Sequence, residues 1–143
     1  MRLSQILVEK YETLLLEKKH EKNKRDELLN KFVKFAFDTL DIKNPPKIKF
    51  DEDEYFGAKN KSFGQFFPHH NRIIIATSNR NLADVMRTLG HELVHCKQCE
   101  DGKIDLENPK ESGKDGSDLE NEANSRAAVI MREFGRTNPD IYE

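Results

Sequence analysis

Residues 88–99 read TLGHELVHCKQC, from Thr88 to Cys99, and set two histidines four apart with a glutamate directly after the first. On an α-helix, positions four apart rise about 6 Å and turn about 40°, so His91 and His95 can aim both imidazoles at one point. Neutral imidazole is a good ligand for Zn²⁺, and Glu92, one residue round the helix, can take a proton from a water on the ion's open position. Zinc brings the pKa of such a water to about 7, which suits the pattern to hydrolysis of a polarised carbonyl. A chance H-E-x-x-H in a chain of this composition is on the order of one per cent, so the helical context must carry part of the argument. That context agrees: Leu82, Val85, Met86, Leu89, Leu93 and Cys96 form one apolar stripe, and Asp84, Thr88, His91 and His95 a polar stripe nearly opposite.

A catalytic zinc site usually takes three protein ligands and leaves one position for water. The five histidines are His20, His69, His70, His91 and His95, so no imidazole after His95 can complete the set. A thiol or a carboxylate remains. Cys99 lies eight residues from His91 on the same helix, a rise of about 12 Å, too far for both to bind one ion. Cys96 belongs to the apolar stripe, and both cysteines read as small, mostly buried thiols, with redox chemistry or a second metal as the lesser alternatives.

Among downstream carboxylates, only SDLENEANSRAAVIMREF combines helical character with an apolar face, formed by Leu119, Ala123, Ala127, Ile130 and Phe134. At 100° per residue, Glu120 lies about 60° from the centre of that face and Glu122 about 100° away on the other side. Glu120 is the favoured third ligand and Glu122 the alternative. Ser117-Asp118-Leu119-Glu120 also fits a capping box, in which Glu120 merely closes the helix start. Asn124, one turn beyond Glu120, is placed to orient a ligand.

Outward from this core, Leu3, Ile6, Leu7, Tyr11, Leu14 and Leu15 suggest an amphipathic helix over about the first seventeen residues. The run EKKHEKNKRDE follows as a solvated helix face or a turn, and the apolar pattern resumes from Leu28 to Leu40 as a second helix ended by DIKNPP. KIKF reads as a short strand, and YFGAKNKSFGQFF with HHNRIIIA as a strand pair turning near Pro68 to Asn71. Ser78 or Asn79 is expected to cap the H-E-x-x-H helix, about Asn81 to Gln98, with Gly102 as its stop. A polar loop then leads to a last helix of about Asp118 to Phe134, and the tail GRTNPDIYE is expected to be irregular. The expected organisation is an N-terminal helix and charged linker over 1–24 and an α+β metal-binding domain over 25–143.

The chain has 143 residues, a formal net charge of −2 and 35% charged residues, which fits a single compact domain without a strong field of one sign. Neither nucleic acid nor an anionic membrane is an expected partner. The longest apolar run is Ile73 to Ala76, and the N-terminus does not read as a signal peptide, so the expected location is cytoplasmic.

With these residues in place, the chain resembles the gluzincin zinc metallopeptidases, which pair an H-E-x-x-H helix with a glutamate from a following helix. LENEANSRAAVIMREF is similar to the E-x-E-A-N segment of ImmA/IrrE-type peptidases. The resemblance implies a zincin-like fold, Zn²⁺ held by His91, His95 and Glu120, Glu92 as general base, and a protein or peptide substrate. It further implies that substrate backbone adds to an exposed strand edge, supplied by Ser62 to Phe67 or Arg72 to Ile75. His69 and His70 are either an exposed turn pair or a source of oxyanion stabilisation. A reading of another class is a catalytically silent module that keeps its metal for stability and binds through Met1 to Glu17 or the loop Asp101 to Gly116.

Overall fold

A computed structural model of the chain describes residues 3–53, 62–108 and 117–142. Among these residues it is an α+β structure of three helices and a three-stranded mixed sheet. Helix α1 runs from Leu3 to Leu40, β1 from Lys47 to Asp51, β2 from Gly64 to Phe67 and β3 from Arg72 to Ala76. Helix α2 spans Leu82–Glu100, α3 spans Asp118–Thr137, and a 3-10 turn covers Pro139–Tyr142. Among the described residues, no helix is long and apolar enough to cross a membrane.

The two expected N-terminal helices are one. Helix α1 continues through the charged run, whose residues Lys19 to Lys24 are exposed, so that stretch is a solvated helix face and not a turn. Good helix formers such as Glu and Lys keep their propensity without an apolar stripe, and nothing in the run breaks a helix. The chain divides into two compact units, Met1–Lys31 and Phe32–Glu143, with the boundary inside α1. The helix ends where Asp41 takes φ 54° and the Ile42 N–H closes onto the Phe37 carbonyl at 3.1 Å, before Pro45 is reached.

In the larger unit, β3 is the central strand, parallel to β1 and antiparallel to β2. Its run RIIIA buries Ile73 and Ile75 completely while Ile74 faces the less covered side, the alternation expected of a pleated strand. Asn71, at φ 46°, makes the β2–β3 turn and donates from its amide to the carbonyls of Asn44 and Pro45 at 3.0 and 3.3 Å. That turn thereby also fixes the start of β1. The expected strand pair and turn are present from Ser62 onward, whereas residues 54–61 lie outside the described residues.

The N-cap of α2 is Asn81, not Ser78 or Asn79: its side chain accepts from the Asp84 N–H at 2.9 Å. Asn79 sits at φ 58°, and an N-cap needs the extended backbone that Asn81 has. The C-terminus is a Schellman motif, with the Gly102 N–H on the Cys99 carbonyl at 3.1 Å and the Lys103 N–H on the Gln98 carbonyl at 2.9 Å. Gly102 takes φ 72°, which glycine adopts without strain. Helix α3 outlasts its expected end by a turn, and the tail is not irregular, since Ile141 in the 3-10 turn is buried. An apolar residue at the fourth position of NPDIY was the signal for that docking.

Helices α2 and α3 pack on each other, and Met86, Leu89, Leu93, Ala127, Ile130 and Phe134 lie in a common core with Phe32, whose ring meets Phe134 edge-on at 5.3 Å. Each large apolar side chain buried here contributes roughly 1.5–3 kcal/mol relative to exposure. On its other side α2 carries β2. A Cβ at Gly64 would stand 2.6 Å from Thr88 Cγ2, 3.0 Å from Ile75 Cδ1 and 3.3 Å from Glu92 Cγ. Thr88 cannot yield, because its hydroxyl donates to the Asp84 carbonyl at 3.0 Å and accepts from Arg80 at 2.7 Å.

Two glycine replacements should therefore move stability in opposite directions. Gly90→Ala, in mid-helix with 3.5 Å to the nearest side-chain atoms, should stabilise by roughly 0.5–1 kcal/mol by removing the glycine penalty. Gly64→Ala should destabilise by about 1–3 kcal/mol through overpacking. Urea denaturation of both variants measures this, and a shared sign would contradict the packing described.

Candidate metal centre

Helix α2 brings His91 and His95 onto one face, one turn apart, and α3 delivers Glu120 to them. Glu120 places Oε1 2.9 Å from His91 Nε2 and Oε2 3.0 Å from His95 Nε2. The two Nε2 atoms are 3.2 Å apart, with the rings nearly perpendicular at 82°. One ligand atom from each of the three residues falls within 4.8 Å of the others. Two nitrogens bound tetrahedrally to one zinc at about 2.05 Å stand about 3.3 Å apart, so the imidazole spacing is that of ligands sharing an ion. Ser117 accepts from the Glu120 N–H at 3.2 Å, so the serine caps α3 while the Glu120 carboxylate faces the imidazoles.

The hydrogen-bond pattern is also compatible with a cation. His95 Nδ1 lies 2.7 Å from Gln98 Oε1, and the Gln98 amide nitrogen donates to the Leu119 carbonyl and to Glu122 Oε1, both at 2.9 Å. Both of those partners are acceptors only, so the Gln98 oxygen must face the imidazole and His95 must carry its hydrogen on Nδ1. In a neutral ring that leaves a lone pair on Nε2, aimed at a carboxylate oxygen and a second imidazole nitrogen. Lone pairs at these distances repel unless a positive charge sits between them. Burial is the largest influence on His91 and lowers its pKa, with Glu120 opposing, so a proton is poorly held there. A divalent ion fits the set: two imidazole nitrogens and one carboxylate are zinc ligands by type and number.

Glu92 is buried, at 8% exposure. Burial raises its pKa to about 7, with Glu120 adding to the rise while His95 and the Phe66 N–H, which it accepts from, pull it back. It shares with His91, His95 and Glu120 a cleft of about 460 Å³ whose wall is β2 and whose rim includes Ile104. His69 and His70 line the same cleft and are exposed. The polar stripe of α2 is thus not a solvated face, because α3 and β2 cover most of it and leave His95 only 7% exposed.

Three residues gained a role that sequence reasoning did not assign. Gln98, 1% exposed, braces His95, and the available signal was a polar residue three places after the second histidine on the same face. Glu122 stands at Gln98 and lies within 3.9 Å of Lys103 Nζ, not at the imidazoles. Arg80 donates to the Ala76 and Asp84 carbonyls and lies 4.4 Å over the Phe63 ring, pinning the approach to β2. Asn124, expected to orient a ligand, is hydrogen-bonded to His91. Cys96 is buried against Asn71, its thiol pushed up to about 12 chiefly by burial, and neither cysteine joins the cluster.

Because the Glu92 pKa is raised on folding, from 4.5 to about 7, the folded state binds that proton more tightly than the unfolded chain. The resulting stability is fully present below the unfolded value and lost as pH rises through about 7. Relative to Glu92→Gln, the metal-free protein should lose on the order of 3 kcal/mol between about pH 4 and pH 8. Urea melts of both proteins across that range test this, and a constant difference between them would contradict the burial of an ionisable acid. The chain matches no protein-family model, no curated protein and no solved structure.

Proposed function

We propose that the chain is a zinc-dependent peptidase of the gluzincin kind, built on a minimal zincin-like fold, with His91, His95 and Glu120 as metal ligands and Glu92 as general base. The observation that carries the reading is the meeting of three protein donors with a buried, proton-accepting glutamate at one cleft. Structural zinc sites are generally closed by four protein ligands, and three donors leave a place for water.

When bound, zinc lowers the pKa of a coordinated water and polarises a carbonyl oxygen. Glu92 accepts the proton that the water loses on attacking the carbonyl carbon, and returns it to the departing amine as the C–N bond breaks. Its burial suits both transfers, since a carboxylate held in a poorly solvated cleft has a raised proton affinity. The Phe66 N–H holds the carboxylate in place from β2.

The strand beside the site supports a polypeptide substrate. Among the described residues strand β2 lies at the sheet edge, and the Ala76 N–H bonds the Phe63 carbonyl at 2.8 Å. By alternation, Gln65 and Phe67 face β3 while Gly64 and Phe66 turn their backbone groups to the other side, where the Ser62 hydroxyl holds both groups of Gly64 and Glu92 takes the Phe66 N–H. An extended chain passing along that edge through the cleft would pair with the Phe66 carbonyl and take the place of Ser62 at Gly64. Of the two edges considered from the sequence, Arg72 to Ile75 is the central strand and is paired on both sides.

Purified protein should bind about one zinc per chain and cleave members of a quenched-fluorescent peptide library in a chelator-sensitive manner. Glu92→Gln should keep the zinc and lose turnover by about 10²–10⁴-fold. Metal analysis beside the peptide assay decides it, and full turnover in that variant would rule out the mechanism. Zinc binding with no cleavage of library peptides or unfolded proteins would favour the silent, metal-stabilised module.

A further inference from the structure

The brace behind His95 is more specific than packing requires. Gln98 is 1% exposed, and each of its amide atoms has a partner that fixes its direction: Oε1 on His95 Nδ1 at 2.7 Å, Nε2 on the Leu119 carbonyl and on Glu122 Oε1 at 2.9 Å each. Turning the amide over would set its oxygen against two acceptors. The Glu122 carboxylate sits at the far end of this chain, 3.9 Å from the Lys103 ammonium. A negative charge accepting from an amide N–H polarises the amide and makes its oxygen the better acceptor. The charge of Glu122 therefore reaches the imidazole through Gln98 without touching it.

Resting on the metal-site reading above, we propose that Gln98, oriented by Glu122, is a positioning residue that holds His95 in the Nδ1–H tautomer and so presents Nε2 to the metal. The two glutamates of E-x-E then divide the work: Glu120 faces the ion and Glu122 sets the ligand that faces it. Imidazole ligands of metals are commonly held by a hydrogen bond from their second nitrogen, and losing that partner typically weakens metal binding by about 10–100-fold. An amide supported by a carboxylate fills that place here, reached from a different helix.

The test is zinc affinity, read by competition with a chromophoric chelator, together with urea stability of the metal-free proteins. Q98M keeps the side-chain volume and removes the acceptor, and should weaken zinc binding by about 10–100-fold while the protein stays folded. Should Q98M fail to fold, Glu122→Ala, at a side chain one third exposed, releases the Gln98 amide and should still cost about threefold or more in affinity. A Q98M protein that is less stable yet binds zinc as tightly as the wild type would overturn the proposal and leave Gln98 a purely structural residue. That result would not touch the peptidase reading, whereas a wild type that binds no zinc would remove both.

Discussion

The site depends on the close approach of α3 to α2. Glu120 has a short side chain, and to span two imidazoles its backbone must come near them. The helices can do this because the contact between them is made of small residues: a Cβ at Gly90 would lie 3.5 Å from Ala127 Cβ. Ala123 and Ala127 are fully buried on the α3 side, and the bulkier Ile130 and Phe134 are set further along. Apolar packing thus supplies the force, and small residues set the distance at which a carboxylate can complete the cluster.

The second wall of the cleft obeys the same logic. Strand β2 presses on α2 where Gly64 leaves no side chain, and this contact lets a backbone N–H reach a carboxylate that is otherwise little exposed. Glu92 is consequently costly to bury as an anion, which is the circumstance in which a carboxylate behaves as a base near neutrality. His91 and His95 are each held by a neutral amide, from Asn124 and Gln98.

Much of this was legible in the residues. The four-residue spacing of His91 and His95 and the amphipathic pattern of α2 were enough to place both imidazoles together, and the angular position of Glu120 favoured it over Glu122. Periodicity reports one face at a time, and so it marks the polar stripe of α2 without telling how closely a second helix and a strand cover it. Gln98 escaped notice for the same reason, because a glutamine at a helix end looks like a solvated residue until its partners on α3 are known. Local rules also overstated the breaks in the chain. The charged run after Glu17 lacks an apolar stripe but contains no helix breaker, and NPDIY looks like a loose end until Ile141 is seen to be buried.

Glu120 and Glu122 project about 200° apart around α3, yet both meet α2, one at the imidazoles and the other a turn further on. Their separation is a matter of phase and not of chemistry alone. Deleting or inserting one residue between Ser117 and Ala123 would rotate everything downstream by about 100°, turning both acids away from their targets or swinging the alanine seam out of the contact. Over evolutionary time the opening turn of α3 should accept many exchanges of side chain at Asp118 or Asn121 and almost no change in length.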